Sequence, residues 1–124
     1  GDVRPDTSAV RFAICGAAPA SVELLEKFES RYRIPIIEGY GLSEGTCAST
    51  VNPLTGRRKP GTVGLPLPGQ RVRIVDPDGA EAGPGETGEV LIAGPNVMRG
   101  YLNRPQETAR TVVDGWLRTG DVGR

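Results

Sequence analysis

The chain has 124 residues, a length typical of one domain, and its 15 lysines and arginines balance 15 aspartates and glutamates. A net charge of zero gives no argument from composition for binding nucleic acid or an anionic membrane. No apolar run approaches the roughly 20 residues that a membrane-spanning helix needs. Two cysteines, Cys15 and Cys47, are too few for a disulfide scaffold and are not spaced as a metal site. They are predicted to be buried thiols of a cytoplasmic protein.

The first third of the chain predicts a strand, a helix and a second strand. Apolar and polar residues alternate before the first glycine-rich turn, at Val10, Phe12 and Ile14. Ser21 is predicted to cap a helix. Its apolar face has a spacing of three or four residues and consists of Val22, Leu25, Phe28 and Tyr32. Because Pro35 blocks helix and Ile36 starts a β-branched run, we expect a right-handed βαβ unit with parallel strands.

The stretch from Ile36 to Thr46 joins that second strand to a turn rich in glycine, hydroxyl and carboxylate groups. Open α/β sheets bind ligands at glycine-rich turns of this kind. A dinucleotide-binding fingerprint is rejected, because the glycine spacing here is one residue too long. Residues 41–45 also match the G-x-S-x-G nucleophile elbow of serine hydrolases. A serine nucleophile needs a base, however, and the chain has no histidine.

A third interpretation of the same stretch is a nucleotide site, and the alternative to it is an ordinary glycine-rich turn. Tyr40 would offer a stacking face, and Ser43 and Thr46 would offer hydroxyls to phosphate. Glu44 would bind Mg²⁺, which proteins usually hold with one or two carboxylates together with substrate phosphates. The residues alone leave these interpretations open.

Turns alternate with short strands in the second half of the chain. Residues 52–61 form a loop with three consecutive cations, which is expected to be solvated, with contact to an anionic ligand as the alternative. Strands are predicted at residues 72–75 and 89–93. A short helix is predicted to begin at Pro105 and to end near residues 114–115.

A last short strand is predicted at residues 116–118, with Thr119, Gly120 and Asp121 following its end. The Asp121 carboxylate is well placed there to accept hydrogen bonds from a ribose diol, or else it caps its own turn. The predicted fold class is mixed α/β. Residues 1–50 would form a βαβ piece of a parallel sheet, and residues 51–124 a small, distorted β-barrel-like subdomain.

Four patches of the sequence resemble one enzyme family. They occur in the order CGAAP, EGYGLSE, GEVLIAGPNVMRGYL and GWLRTGD, with GTVGLP between the second and third. Together they are similar to the AMP-forming acyl-CoA synthetases, the adenylate-forming enzymes that include luciferases and peptide-synthetase adenylation domains. The resemblance extends from about Val10 to the C-terminus and covers only a middle segment of that family's chain.

The resemblance implies an activity and a set of binding residues. The family activates a carboxylate with Mg-ATP to an acyl-adenylate and then transfers the acyl group to a thiol such as CoA. The implied nucleotide-binding residues are Gly16 and Ala17 along the adenine, Glu38, Gly39 and Tyr40 as its other wall, Ser43 at the phosphate and Asp121 at the ribose. Glu44 is the implied Mg²⁺ ligand, and Gly41 and Leu42 would lie beside the acyl group.

The resemblance also predicts what this chain lacks. The family's phosphate loop would precede residue 1 and its catalytic lysine would follow residue 124, so we expect a middle piece of a longer ligase, inactive alone and without a catalytic residue of its own. The favoured substrate is a fatty acid, with amino-acid activation as the alternative. A stand-alone nucleotide-binding or interaction module is the alternative outside enzymes. We expect the piece to self-associate, and the parent to be cytoplasmic, with peripheral membrane association left open.

Overall fold

The computed structural model describes residues 5–124, which fall into two compact units. The first unit comprises Gly1–Tyr40 and Thr50–Leu65, of which residues 1–4 lie outside the described range, and the second comprises Gly41–Ser49 and Pro66–Arg124. The predicted domains, 1–50 and 51–124, are consecutive stretches, whereas these units interleave along the chain.

Apart from one short 3₁₀ turn, two α-helices and eight strands make up the regular structure of residues 5–124. In chain order they are β1 (Ala13–Cys15), α1 (Val22–Tyr32), β2 (Ile36–Tyr40), β3 (Thr50–Val51), β4 (Leu65–Pro66), β5 (Arg71–Val75), β6 (Gly88–Ala93), α2 (Pro105–Thr111), β7 (Val112–Val113) and β8 (Trp116–Gly123). One sheet has the order β1-β2-β3-β4 and the other β5-β6-β8-β7. The predicted mixed α/β class is confirmed, and closure of the second sheet into a barrel stays a prediction.

The βαβ unit forms as its sequence pattern predicts. Strands β1 and β2 pair in parallel, with Ala13 opposite Ile36 and Cys15 opposite Glu38. Helix α1 packs Leu25 into the core of this unit, where Ile34 and Ile37 are also buried. The first strand is shorter than predicted, because the backbone N–H of Val10 closes a turn onto Thr7 O instead of entering the sheet.

Ser21 caps helix α1 as predicted, and its hydroxyl accepts a hydrogen bond from the Leu24 N–H at 3.2 Å. Replacing Ser21 with alanine leaves that N–H without an intrahelical partner, so we expect a loss of about 1 kcal/mol in the free energy of unfolding. Urea denaturation followed by circular dichroism measures the change. Ser30→Ala in the same helix is the matched control, and an equal or larger loss there would contradict the capping role.

The loop at residues 52–61 is tied down rather than solvated throughout. Buried Asn52 accepts from the Lys59 N–H at 3.2 Å and donates from its Nδ2 to Thr62 O at 2.5 Å. Arg58, one of the three consecutive cations, is half-buried and pairs with Glu29 of α1 at 2.7 Å. The expectation of a solvated cation is therefore wrong for Arg58, because a carboxylate of the same unit pairs with it.

The second unit is built on an antiparallel sheet. Its core lies on the two central strands, where Ile92 of β6 and Leu117 of β8 are both fully buried. Helix α2 ends at Thr111 and not near residues 114–115. The sequence Asp114-Gly115 instead forms a two-residue hairpin turn with φ of 50° and 78°, which joins β7 to β8.

No helix within residues 5–124 is both long enough and apolar enough to cross a membrane. The two cysteines are free, but Cys15 is only partly buried and Cys47 is exposed. The prediction that both are buried thiols is therefore wrong.

Candidate functional site

The first unit brings two of the predicted adenine-binding segments together at neighbouring strand ends. Because Cys15 pairs with Glu38 in parallel register, Gly16 and Gly39 follow side by side. A Cβ added to Gly16 would lie 3.2 Å from Gly39 O, which is closer than most real Cβ contacts. Ala17 has a φ of 66°, in the left-handed region that non-glycine residues rarely occupy. Strained backbone of this kind often occurs at ligand sites.

Glu38 holds the loop that follows β3. Its backbone carbonyl accepts from the Asn52 N–H at 2.8 Å, and its carboxylate accepts from the Gly61 N–H at 3.0 Å. Gly39 is equally confined, because a Cβ there would lie 3.0 Å from Thr50 O. Tyr40 pairs with Thr50 across the antiparallel β2–β3 ladder, and the residue is half-buried. These contacts fix the backbone of the predicted adenine wall within the first unit.

The second unit begins with a tightly folded loop, Gly41–Ser49, that contains a 3₁₀ turn at Ser43–Gly45. The carbonyl of Leu42 accepts hydrogen bonds from the N–H groups of Gly45 and Cys47, at 3.0 and 3.1 Å. Thr46 and Cys47 have φ of 55° and 75°, so two consecutive non-glycine residues are left-handed. Conformations of this kind persist only where surrounding contacts enforce them. Ser43 is exposed at the start of the 3₁₀ turn.

A distant segment of the same unit, residues 96–101, clamps this turn. Tyr101 donates its hydroxyl hydrogen to Glu44 Oε1 at 2.8 Å, and the Met98 N–H donates to Glu44 O at 2.8 Å. Asn96 donates from Nδ2 to Gly45 O at 2.9 Å, and the backbone carbonyl of Asn96 accepts from Thr46 Oγ1 at 2.6 Å. The hydrogen bond to Glu44 raises the pKa of the Tyr101 hydroxyl above its ordinary value.

The role of residues 96–101 was not predictable from the sequence. Asn96, Met98 and Tyr101 belong to the third family-like patch, but no sequence signal assigns them to the turn at residues 44–46, about 50 residues earlier in the chain. Only the folded structure reveals the four hydrogen bonds. They leave the Glu44 carboxylate oriented by the phenol of Tyr101, with one oxygen occupied.

The residues around Glu44 fit a Mg²⁺ ion that is coordinated jointly by one carboxylate and a bound substrate, and not an ion coordinated by protein side chains alone. Among residues 5–124, no three histidine, cysteine, aspartate or glutamate side chains lie close enough to hold a metal ion together. In that same part of the chain, Glu44 Oε2 has no hydrogen-bond donor, while Oε1 accepts from Tyr101. One oriented carboxylate oxygen suits Mg²⁺, which completes its octahedral coordination with water and substrate phosphates.

Asp121 lies inside strand β8 and not beyond a strand end as predicted. Strand β8 extends from Trp116 to Gly123 and is interrupted by a bulge. Along β6 the pairing advances by two residues, from Glu89 to Leu91, while along β8 it spans four, from Val122 to Arg118. The two additional residues displace Thr119–Asp121 from the regular ladder, and Gly120 adopts a φ of 74°.

The bulge is held by Glu89 and Thr119. Glu89 accepts from Arg118 Nη2 at 2.5 Å on one carboxylate oxygen and from the Gly120 N–H at 3.2 Å on the other. Thr119 donates from Oγ1 to Val90 O at 2.7 Å, and the same oxygen accepts from the Asp121 N–H at 3.0 Å. The hydrogen bond from Arg118 holds the pKa of Glu89 below its ordinary value, so the acceptor stays charged. Nothing in the sequence alone distinguishes Glu89 from the other acidic residues.

Comparison with known proteins identifies the family. The model of the AMP-binding enzyme family matches residues 2–102, and the chain belongs to this family. It is 42% identical to a long-chain-fatty-acid–CoA ligase of Bacillus subtilis, over 95% of this chain and 21% of that protein. It is 45% identical to the 4-coumarate–CoA ligase-like 4 of Oryza sativa subsp. japonica, over 91% of this chain and 21% of that protein.

Solved structures of other proteins share the fold of this chain. Apo MatB from Rhodopseudomonas palustris superposes with a TM-score of 0.88 at 37% identity, over 95% of this chain and 24% of that chain. The ATP-bound form of the same protein gives a TM-score of 0.86 over the same shares. The chain thus spans about a fifth to a quarter of the length of the proteins it matches. The resemblance to acyl-CoA synthetases drawn from the sequence is confirmed.

Proposed function

We propose that this chain is part of a ligase that activates a carboxylic acid with ATP and transfers the acyl group to coenzyme A. In the first step a carboxylate oxygen attacks the α-phosphorus of ATP and the bond to pyrophosphate breaks. In the second, the CoA thiolate attacks the acyl carbonyl of the adenylate and AMP leaves. The observation that supports this proposal is the identity of 42% to a CoA ligase over 95% of the chain.

The first unit is proposed to contact the base of the nucleotide. Gly16 and Ala17 would lie along the adenine, and Glu38, Gly39 and Tyr40 would form its other wall, with Tyr40 stacked on the ring. The support for this assignment is that Gly16 and Gly39 are neighbours on adjacent chain segments, where a Cβ on either residue would crowd a backbone carbonyl, so the backbone here carries no side chains. A flat backbone surface allows close approach of a planar base.

The second unit is proposed to contact the rest of the substrates. Ser43 would donate to a phosphate, Asp121 would accept from the ribose hydroxyls, and Gly41 and Leu42 would lie beside the acyl group. Negative charge gathers as the carboxylate meets the α-phosphate, so correct positioning and a cation lower the barrier. Glu44, oriented by Tyr101, is the residue that would hold Mg²⁺, and the ion would neutralise that charge when bound.

The experiment that tests the function is pyrophosphate release with a panel of acids. The full-length ligase that we propose contains this chain should release pyrophosphate with ATP, Mg²⁺ and a fatty acid, and then form the acyl-CoA. The 124-residue chain alone should give only background, because the phosphate loop and the catalytic lysine implied by the family lie outside it. Sustained turnover by the chain alone would refute this part of the proposal.

The acid is proposed to be a fatty acid, because the B. subtilis relative is named for that substrate. The rice relative is named for coumarate, so aromatic acids belong in the same panel. Strong preference for an amino acid would overturn the choice. Calorimetry on the 124-residue chain addresses the alternative of a stand-alone nucleotide-binding module, and we expect weak ATP binding or none.

A further inference from the structure

Between residues 118 and 122 the ladder of β8 is distorted at the point where the second unit presents Asp121. We propose that Glu89 and Thr119 are positioning residues that hold the Asp121 bulge in the conformation that contacts the ribose diol. The inference rests on the proposed function, because it takes Asp121 as the ribose contact. Its own content is that two residues outside that contact determine how well the contact is made.

Thr119 links the bulge to the neighbouring strand, because its hydroxyl both donates and accepts a hydrogen bond. Its Oγ1 donates a hydrogen bond to Val90 O of β6 at 2.7 Å and accepts one from the Asp121 N–H at 3.0 Å. The Asp121 backbone is therefore anchored to β6 through one side chain. Because the position of a Cα atom follows from the peptide groups on either side of it, this anchor also determines the position from which the Asp121 side chain extends.

Glu89 fixes Gly120, which lies between Thr119 and Asp121. One carboxylate oxygen accepts from the Gly120 N–H at 3.2 Å, and the other accepts from Arg118 at 2.5 Å. Gly120 has a φ of 74°, and no heavy atom lies within 4 Å of the position its Cβ would take, so local packing does not enforce this conformation. The hydrogen bond from the Gly120 N–H to Glu89 and that from the Asp121 N–H to Thr119 supply the constraint instead. A half-buried carboxylate paired with an exposed arginine also keeps its charge, and a charged acceptor binds an N–H more strongly.

The test compares two nucleotides that differ only in the ribose. In the full-length ligase, equilibrium binding of ATP and of 2′,3′-dideoxy-ATP is measured by calorimetry, with displacement titration for the weaker ligand. Thr119→Val keeps the size of the side chain and removes the hydroxyl. We expect it to weaken ATP binding about tenfold and to leave dideoxy-ATP binding unchanged, because only ATP uses Asp121.

Conservative and control variants separate positioning from general damage. Thr119→Ser retains the hydroxyl and should restore ATP binding to within about twofold of the original protein. Glu89→Gln is the second variant and should also weaken ATP binding selectively. Glu107→Gln, which disrupts the exposed pair of Glu107 with Arg104 at 3.0 Å, is the matched control and should change neither affinity.

Three outcomes would overturn the inference. If the two residues served only stability, Thr119→Val and Glu89→Gln would weaken the binding of ATP and of dideoxy-ATP equally. If the bulge were fixed by other contacts, neither variant would change either affinity. If the unaltered ligase did not distinguish ATP from dideoxy-ATP, the ribose role of Asp121 itself would fail. That last result is visible before any variant is made, so the two failures are distinguishable.

Discussion

Replacing Gly41 with alanine is expected to lower the free energy of unfolding of the second unit by about 3 kcal/mol or more. A Cβ at this position would lie 1.9 Å from Cys47 O and 2.7 Å from the Cα of Ala48. Both are backbone atoms, so no side-chain rotation relieves the overlap. The loop would have to open at the two left-handed residues, Thr46 and Cys47, whose conformation depends on its closure.

Urea denaturation followed by the fluorescence of Trp116 measures this effect, because Trp116 is the only tryptophan and lies in the second unit. Gly79→Ala is the matched control within the same unit. Gly79 has a φ of 85°, but no heavy atom lies within 4 Å of its would-be Cβ. Backbone strain alone should then cost about 1 kcal/mol. Equal losses of unfolding free energy for the two variants would show that the close contact at Gly41 adds no cost beyond backbone strain.

In the full-length ligase proposed above, replacing Glu44 with glutamine is expected to slow adenylate formation about 100-fold, which corresponds to about 3 kcal/mol. The amide has nearly the same shape and can still accept from the Tyr101 hydroxyl. It lacks the charge that makes a carboxylate oxygen a strong ligand of Mg²⁺. If the substitution weakens metal binding, the reduction in rate should become smaller as the Mg²⁺ concentration is raised.

Pyrophosphate release as a function of Mg²⁺ measures the rate, and Mn²⁺ binding followed by electron paramagnetic resonance in the presence of ATP measures the metal site directly. Glu23→Gln, on the exposed side of helix α1, is the control. A second variant, Tyr101→Phe, leaves the charge but removes the hydrogen bond at 2.8 Å, and a smaller loss in Mn²⁺ affinity is expected. Unchanged Mn²⁺ binding in Glu44→Gln would rule out the metal role.

Elements with a clear period were predictable from the sequence. Helix α1 has an apolar face and a serine cap, and strand β6 has a continuous apolar run, and both occur where expected. Errors arose where local signals competed. The helical pattern after Pro105 masked the β-branched pair Val112–Val113, which the Asp-Gly turn pairs with Trp116 and Leu117.

The candidate site was predictable as a set of residues but not as a geometry. Motif spacing points to Glu44 and Asp121, yet the groups that orient them come from tertiary contacts. Tyr101 lies 57 residues from Glu44, and Glu89 lies 31 residues from Gly120. The bulge in β8 is equally invisible in the sequence, because a two-residue slip in pairing depends on the neighbouring strand.

The interleaving of the two units limits how this region can be recombined with related ligases. The backbone passes from one unit to the other at Tyr40–Gly41, at Ser49–Thr50 and at Leu65–Pro66. A crossover placed anywhere between residues 50 and 95 would take the turn at residues 44–46 from one parent, and Asn96 and Tyr101, which hydrogen-bond to that turn, from the other. Chimeras should therefore inherit residues 41–101 from a single parent, and libraries built with junctions inside that block should lose active members disproportionately.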